Sequence, residues 1–321
     1  MEEEREGKRN GPHFVADISV LPEGCISNIV SLTCPKDACR ACAVSPIFRA
    51  AAESNAVWER FLPSDYQAII ARSSSSSESL NLSSKKQIYL SLSDKPILID
   101  DSKKSFFLDK SSGKKCYLLP AREMSIVWSC TPRYWRWISL PEESRFPEVA
   151  ELLLVWWFEI SGKMSTSILS PKTHYAAYLV YKFRSRAHGF RGPPFKASVG
   201  TIGGEVYEQT VRLGLFVTEP NQQHTSRPKQ REDGWLEIGL GQFFNGGEED
   251  DELQITLTEP NQQHTSRPKQ REDGWLEIEL GQFFNGGEED DELQITLMEI
   301  EAGETKSGLI VEGIEIRPTK G

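Results

Sequence analysis

The segment Gly274-Trp275-Leu276-Glu277-Ile278-Glu279-Leu280-Gly281 alternates apolar and acidic side chains. Neighbours on a strand point to opposite faces, so Leu276, Ile278 and Leu280 share one face and Glu277 and Glu279 the other. That is a strand with one face on a core and one on water. Leu293 to Leu297 and Ile314 to Ile316 repeat the pattern. Further strands are read at Ser125 to Trp128, Trp135 to Ser139, Leu152 to Ile160, Tyr175 to Phe183, Glu205 to Thr210 and Val211 to Phe216. They are rich in Trp, Val, Ile, Tyr and Phe and are punctuated by Gly and Pro. About eight strands with few helices predict an antiparallel sandwich or barrel from Phe106 onward.

The opening segment belongs to a duplication. Residues 218–257 and 258–297 are the same 40-residue block, differing only at Gly239 against Glu279. Solenoids need at least three units, so a tandem duplication or a gene-model error explains the pair better. A closed two-sheet fold has one slot per strand. The second copy is expected to fill it, because it runs directly into the terminal strands with an unbroken alternation. The first copy would then be a surface excursion exposing Trp235, Phe243 and Phe244.

Ahead of the strands the pattern is different. Residues 1–16 read as a polar tail and 17–62 as short helices. Residues 63–105 read as a serine-rich linker, since serine runs solvate rather than pack. Leu21-Pro22 opens a segment with Ile26, Ile29 and Val30 at helical spacing. Thr33 is read as a cap before Pro35, Ser45-Pro46 as a cap and first helical residue, and Asn55 as the cap of the turn carrying Trp58 and Phe61. So small a helical core is marginal alone and calls for a partner.

Composition narrows the function. With 37 Lys+Arg against 47 Asp+Glu, the 321-residue chain has a net charge of -10, which argues against general nucleic-acid or anionic-membrane binding. Much of that acidity comes from the duplication, each copy carrying many more acids than bases. The longest apolar run, Val149 to Ile160, falls short of the roughly 18 residues of a membrane span. The charged start, MEEEREGKRNG, has no signal-peptide core. The expected location is therefore the cytoplasm or nucleus. Cys39-x-x-Cys42 has zinc-like spacing but no second ligand pair, so no metal site and no cofactor is expected.

Leu21-Pro22-Glu23, then Ile26, Ile29, Leu32, Asp37, Ala41, Val44, Phe48 and Trp58, resembles an F-box. The resemblance implies that Leu21, Pro22, Ile26, Ile29, Leu32, Val44 and Trp58 contact a Skp-type adaptor, and through it a cullin. The stretches Met124 to Trp137, Val149 to Trp157, Gly274 to Gly281 and Gly308 to Pro318 together resemble the plant phloem-protein-two lectin family, related to the tobacco agglutinin Nictaba. F-box and lectin domain occur together in a known plant subfamily. The implied fold class is α+β by domain: a small all-α F-box at 17–62, then an all-β jelly-roll-like antiparallel sandwich at 106–321. The family binds N-acetylglucosamine oligomers and N-glycan cores. Its two stacking tryptophans match Trp128 and Trp135, and its acidic pair is matched to Glu292 and Glu299.

That chemistry also stands on its own. Pyranose rings have an apolar face that indole covers, and sugar hydroxyls bond well to carboxylates. Trp156 and Trp157, inside an apolar run, are read as core. No GxSxG, P-loop, HExxH or dinucleotide fingerprint is present, so no catalytic residue is expected. The sequence reads as a substrate-recognition subunit of a Skp-cullin-F-box ubiquitin ligase that binds a glycan or glycoprotein target. A stand-alone lectin and a protein-only receptor are the alternatives.

Overall fold

The computed structural model describes residues 18–73, 84–156, 158–191, 195–201, 206–214, 227–231, 233–246, 269–270, 276–277, 284–285, 292–299 and 305–319. The tail expected at 1–16 and the serines 74–83 lie outside these residues.

A 3-10 turn at Ile18–Val20 leads into α1 (Glu23–Ser31), α2 (Pro35–Ala41), α3 (Pro46–Glu53) and α4 (Asn55–Phe61). Ser45 caps α3, accepting from the Phe48 amide at 3.4 Å, with Pro46 in the first turn. Two expected caps differ. The Thr33 hydroxyl donates back to the Val30 carbonyl at 2.7 Å and closes α1 instead of opening α2. The Ser54 side chain caps α4, while Asn55 Oδ1 accepts from the Lys85 amide at 2.8 Å. In both cases the end of another helix, that of α1 for Thr33 and of α6 (Lys85–Asp94) for Asn55, takes the side chain.

The stretch read as a linker contains packed structure. It holds α5 (Tyr66–Ala71), α6 (Lys85–Asp94) and the strand β1 (Ile97–Ile99). Tyr89 and Leu92 of α6 are buried with Trp58 in one core, the Tyr89 and Trp58 rings 5.1 Å apart. The serine content misled because the aromatic and aliphatic residues of 85–99 recur at helical and then extended spacing and find a partner surface.

That core continues into the sheets. β2 (Lys104–Leu108) and β3 (Lys115–Pro120) form a hairpin. In its turn the Asp109 carboxylate accepts from the Ser111 and Ser112 amides. Gly113 there has φ +73°, and a Cβ would lie 2.7 Å from the Phe61 carbonyl. Only glycine lets the hairpin sit this close to the end of α4. Tyr89 donates to the Asp109 carbonyl at 3.1 Å, so helices and sheet are locked together.

The remaining strands are β4 (Ser125–Ile126), β5 (Trp135–Ile138), β6 (Val149–Leu152), β7 (Phe158–Ser165), β8 (Thr173–His188), β9 (Phe195–Thr201), β10 (Val206–Val211), β11 (Lys229–Gln230), β12 (Leu236–Asn245), β13 (Lys269–Gln270), β14 (Leu276–Glu277), β15 (Phe284–Asn285), β16 (Glu292–Glu299) and β17 (Ser307–Pro318). One sheet runs β1-β2-β3-β17-β8-β12-β11-β14-β13, with β6 also on β17, β5 on β6 and β15 on β12. The other runs β10-β9-β16-β7-β4. Pairing is antiparallel except for β12 with β15. Phe158 and Ile160 of β7, Phe195 and Val199 of β9, Tyr175 and Tyr181 of β8, and Ile238 and Phe243 of β12 fill a common core. The opposite face of β8, β12 and β17 carries Val180, Trp235 and Ile310. It also buries the charges of Arg231, Glu237 and Glu315, with Arg317 partly buried beside them. Arg317 meets Glu237 at 3.0 Å and Glu315 at 2.8 Å, and Arg231 meets Glu315 at 3.3 Å.

The duplication is used in a way the sequence reading did not anticipate. β12 comes from the first copy, and Trp235 and Phe243 are fully buried instead of exposed. β16 takes residues 292–297 from the second copy and sits between β7 and β9. The copies supply interchangeable residues, so connectivity decides. The first copy reaches the slot on β8 soonest after β10 and β11, and the second lies nearest β17. Both connections stay short, and the surplus falls between the two strands, where loop closure grows only logarithmically with length. Gly239, read as a weakness, sits where β12 shifts register against β8, between Gly239 and Gly241. A bulge of this kind suits glycine.

Candidate functional site

The helical unit divides its predicted adaptor-contact residues into two groups. Ile26 and Trp58 are fully buried, and the Trp58 indole donates to the Ala52 carbonyl at 2.6 Å. These two build the unit and do not face outward, which corrects their reading as contacts. Leu21, Pro22 and Ile29 are exposed, and Leu32 and Val44 are 67% and 69% exposed. The reason is periodicity: Ile26 and Val30 take the inner side of α1, leaving Ile29 on the outer side. Ile18 and Val20 add to the same exposed apolar set.

In the β region a second exposed set gathers where β4 ends and β7 begins. Ser125 and Ile126 pair with Ser161 and Ile160, and the Val127 amide donates to the Glu159 carbonyl at 3.1 Å. Regular alternation would then turn Trp128 into the core beside Ile126. Instead Trp128 adopts φ +61°, and its ring is 42% exposed. A left-handed conformation costs a non-glycine residue roughly 1–2 kcal/mol, and here it swings an indole outward. The turn is held by Ser129 donating to the Ile126 carbonyl and Thr131 to the Trp128 carbonyl. Tyr134 lies beside Trp128, ring centroids 5.2 Å apart.

Trp135 does not join Trp128 at the surface. It is 2% exposed, its ring 6.2 Å from that of Phe158. Its indole donates to the Val127 carbonyl at 3.1 Å. Trp135 therefore supports the Trp128 turn from below, which corrects its reading as a ligand-stacking face. Trp137 is half-buried under the Arg122 guanidinium, 3.7 Å from its centroid.

The two glutamates are separated by the strand that carries both. Glu299 pairs with Phe158 and Glu292 with Ser165. Glu299 thus lies in the cross-strand row that runs toward Trp128. Glu292 lies seven residues away, roughly 23 Å along the strand. The structure brings Glu299 to the Trp128 end of the sheet and leaves Glu292 at the other.

The sequence reading missed Trp156, which is 64% exposed. It was assigned to the core because it sits in an apolar run. A signal was nonetheless present: in an extended chain the adjacent Trp156 and Trp157 point to opposite sides, so both cannot face one core.

On β6, buried Glu151 receives Arg136 and Arg184 at 2.6 and 2.8 Å. Burial works to raise its pKa, but hydrogen bonds from the two guanidiniums outweigh it and hold the carboxyl below the usual range.

Comparison with known proteins accounts for this pairing of parts. The phloem protein 2 family matches residues 114–267 and again 263–318, the seam falling inside the duplication. F-box protein At2g02240 of Arabidopsis thaliana is 42% identical over 307 residues, covering 94% of this chain and 80% of that protein. F-box protein PP2-B10 of the same plant is 40% identical over 302 residues, covering 94% and 93%. F-box protein SKIP3, also from Arabidopsis thaliana, is 38% identical over 308 residues, covering 94% and 88%. With the family matched over most of the β region and these relatives spanning helices and sheets alike, the chain belongs to the phloem protein 2 family, as one of its plant F-box proteins.

Proposed function

We propose that the chain is a substrate-recognition subunit of a Skp-cullin-F-box ubiquitin ligase. The observation that carries this reading is the exposed apolar set Leu21, Ile29, Leu32 and Val44 on a helical unit whose core is already filled by Ile26 and Trp58. A surface of this kind is favourable only when a partner covers it. The helices would grip a Skp-type adaptor, the sheets would present the target, and the chemistry would belong to the rest of the complex. Such a role places the chain in the cytoplasm or nucleus. Replacing both Leu32 and Val44 with Asp in the full chain should abolish co-purification with a Skp-type adaptor. Helix content by circular dichroism should not change, because both side chains lie outside the core. Undiminished adaptor binding would sink the reading.

The target-binding half is read as a carbohydrate site in a jelly-roll-like sandwich. Two sheets around one core support the sandwich. The outward-turned Trp128, with Glu299 in the neighbouring row, supports the sugar site. Calorimetry of the full chain with chito-oligosaccharides should show binding that Trp128→Ala weakens by about 1 kcal/mol, the order of one aromatic contact. No heat at millimolar sugar would favour a protein-only receptor.

A further inference from the structure

We propose that Trp156, and not Trp135, is the second stacking face of the carbohydrate site, so that the ligand is an oligosaccharide laid across two separated indoles. This rests on the carbohydrate reading above and adds a contact residue to its site.

The argument begins with exposure. Trp156 is the most exposed of the described tryptophans, and large apolar side chains left in water commonly mark binding surfaces. Its position is held, not loose. Between it and Leu154, Val155 is buried and exchanges both backbone hydrogen bonds with Lys306, at 3.0 and 2.8 Å. Val155 is held inward, and its neighbours Leu154 and Trp156 on either side are both exposed.

The same segment is tied to the turn that carries Trp128. The Tyr134 carbonyl accepts from the Leu153 amide at 2.8 Å and the Leu154 amide at 3.4 Å, and the Tyr134 ring packs on Trp128. On the other side, the β4–β7 register carried forward by Val127 and Glu159 sets Trp128 opposite Phe158. Trp156 stands two residues before Phe158 in the chain. The Trp128 turn is thus held by Ser129 and Thr131, Trp156 by the bridge of its neighbour Val155 to Lys306, and Tyr134 links the two segments. Two separated flat apolar faces suit successive sugar rings, each with an apolar face and a hydroxyl rim.

The test is calorimetry of the full chain with N-acetylglucosamine and with its β-linked tetramer. Trp156→Ala should weaken the tetramer roughly tenfold and leave the monosaccharide unchanged, whereas Trp128→Ala should weaken both. Trp156→Phe should restore most of the tetramer affinity. Melting temperatures should stay level, since Trp156 is not core. Tetramer binding that is indifferent to Trp156→Ala overturns this proposal and leaves the carbohydrate reading standing. Equal loss for monosaccharide and tetramer also overturns it, because Trp156 would then be the primary contact. A parent chain that binds neither sugar overturns both.

Discussion

Trp128 and Trp135 stand seven residues apart and do opposite work. Trp135→Ala should cost about 3–5 kcal/mol in urea unfolding, because it opens a cavity under Phe158 and strands the Val127 carbonyl. Trp128→Ala should cost little, its ring being half in water. Trp128→Gly should be more stable than Trp128→Ala by about 1 kcal/mol, since glycine takes φ +61° freely. A glycine no better than alanine there would show that the turn is not strained. Glu151 gives a pH signature. Its folded pKa lies below the unfolded one, so its contribution is full above the ordinary glutamate value near 4.3 and is lost as pH falls below it. Glu151→Gln should flatten stability against pH in that window, read by thermal melts from about pH 6 down to 3.

Among the elements, the face shared by β12 and β17 shows how charge specifies packing. Glu237 and Glu315 are buried against Arg231 and Arg317. Breaking such a group by removing one partner costs about 3–5 kcal/mol, as an uncompensated charge stays buried. Arg317→Met should therefore lower the denaturant midpoint sharply, and adding Glu237→Met in the same chain should recover part of the loss. No recovery would mean that the two side chains act independently. Helix α6 is the other decisive element. It joins Trp58 on one side to the β2–β3 turn on the other. Tyr89→Ala should lower the unfolding midpoint seen by far-ultraviolet and by tryptophan signals together, as expected where helices and sheets share one cooperative core.

For the whole molecule the duplication sets the test. A chain lacking residues 246–285 keeps Gly239, β12 and β16 and simply joins the two strands through one copy of the loop. It should fold and melt no lower than the parent, because the sheet loses only the two-residue strands β13, β14 and β15 while a long closure is removed. Deleting residues 218–257 instead leaves the same sequence with Glu279 in place of Gly239. The two shortened chains thus isolate one residue at the β12 bulge. A large drop in melting temperature for both would show that the surplus copy carries part of the fold.

Much was legible in the linear chain because it is governed by local periodicity. Alternation announced the strands of the second half, and Ser45-Pro46 announced the start of α3. The motifs carried the family, since motif residues are contiguous. The exposed members of the F-box face and the interior place of Ile26 and Trp58 were not separable that way, because both groups are apolar and only packing decides which side meets a neighbour. The serine-rich span hid α5 and α6 for the same reason: their few apolar residues form a core only with Trp58 and the β2–β3 hairpin. Trp135 and Trp156 exchanged expected roles because Trp135, paired with Leu152, packs on Phe158, while Val155 takes the inward place and leaves Trp156 exposed. The choice between two nearly identical copies was beyond any local signal. They differ at one residue, and that Gly239 suits a register shift in β12 is visible only once β12 is paired with β8 in the folded chain.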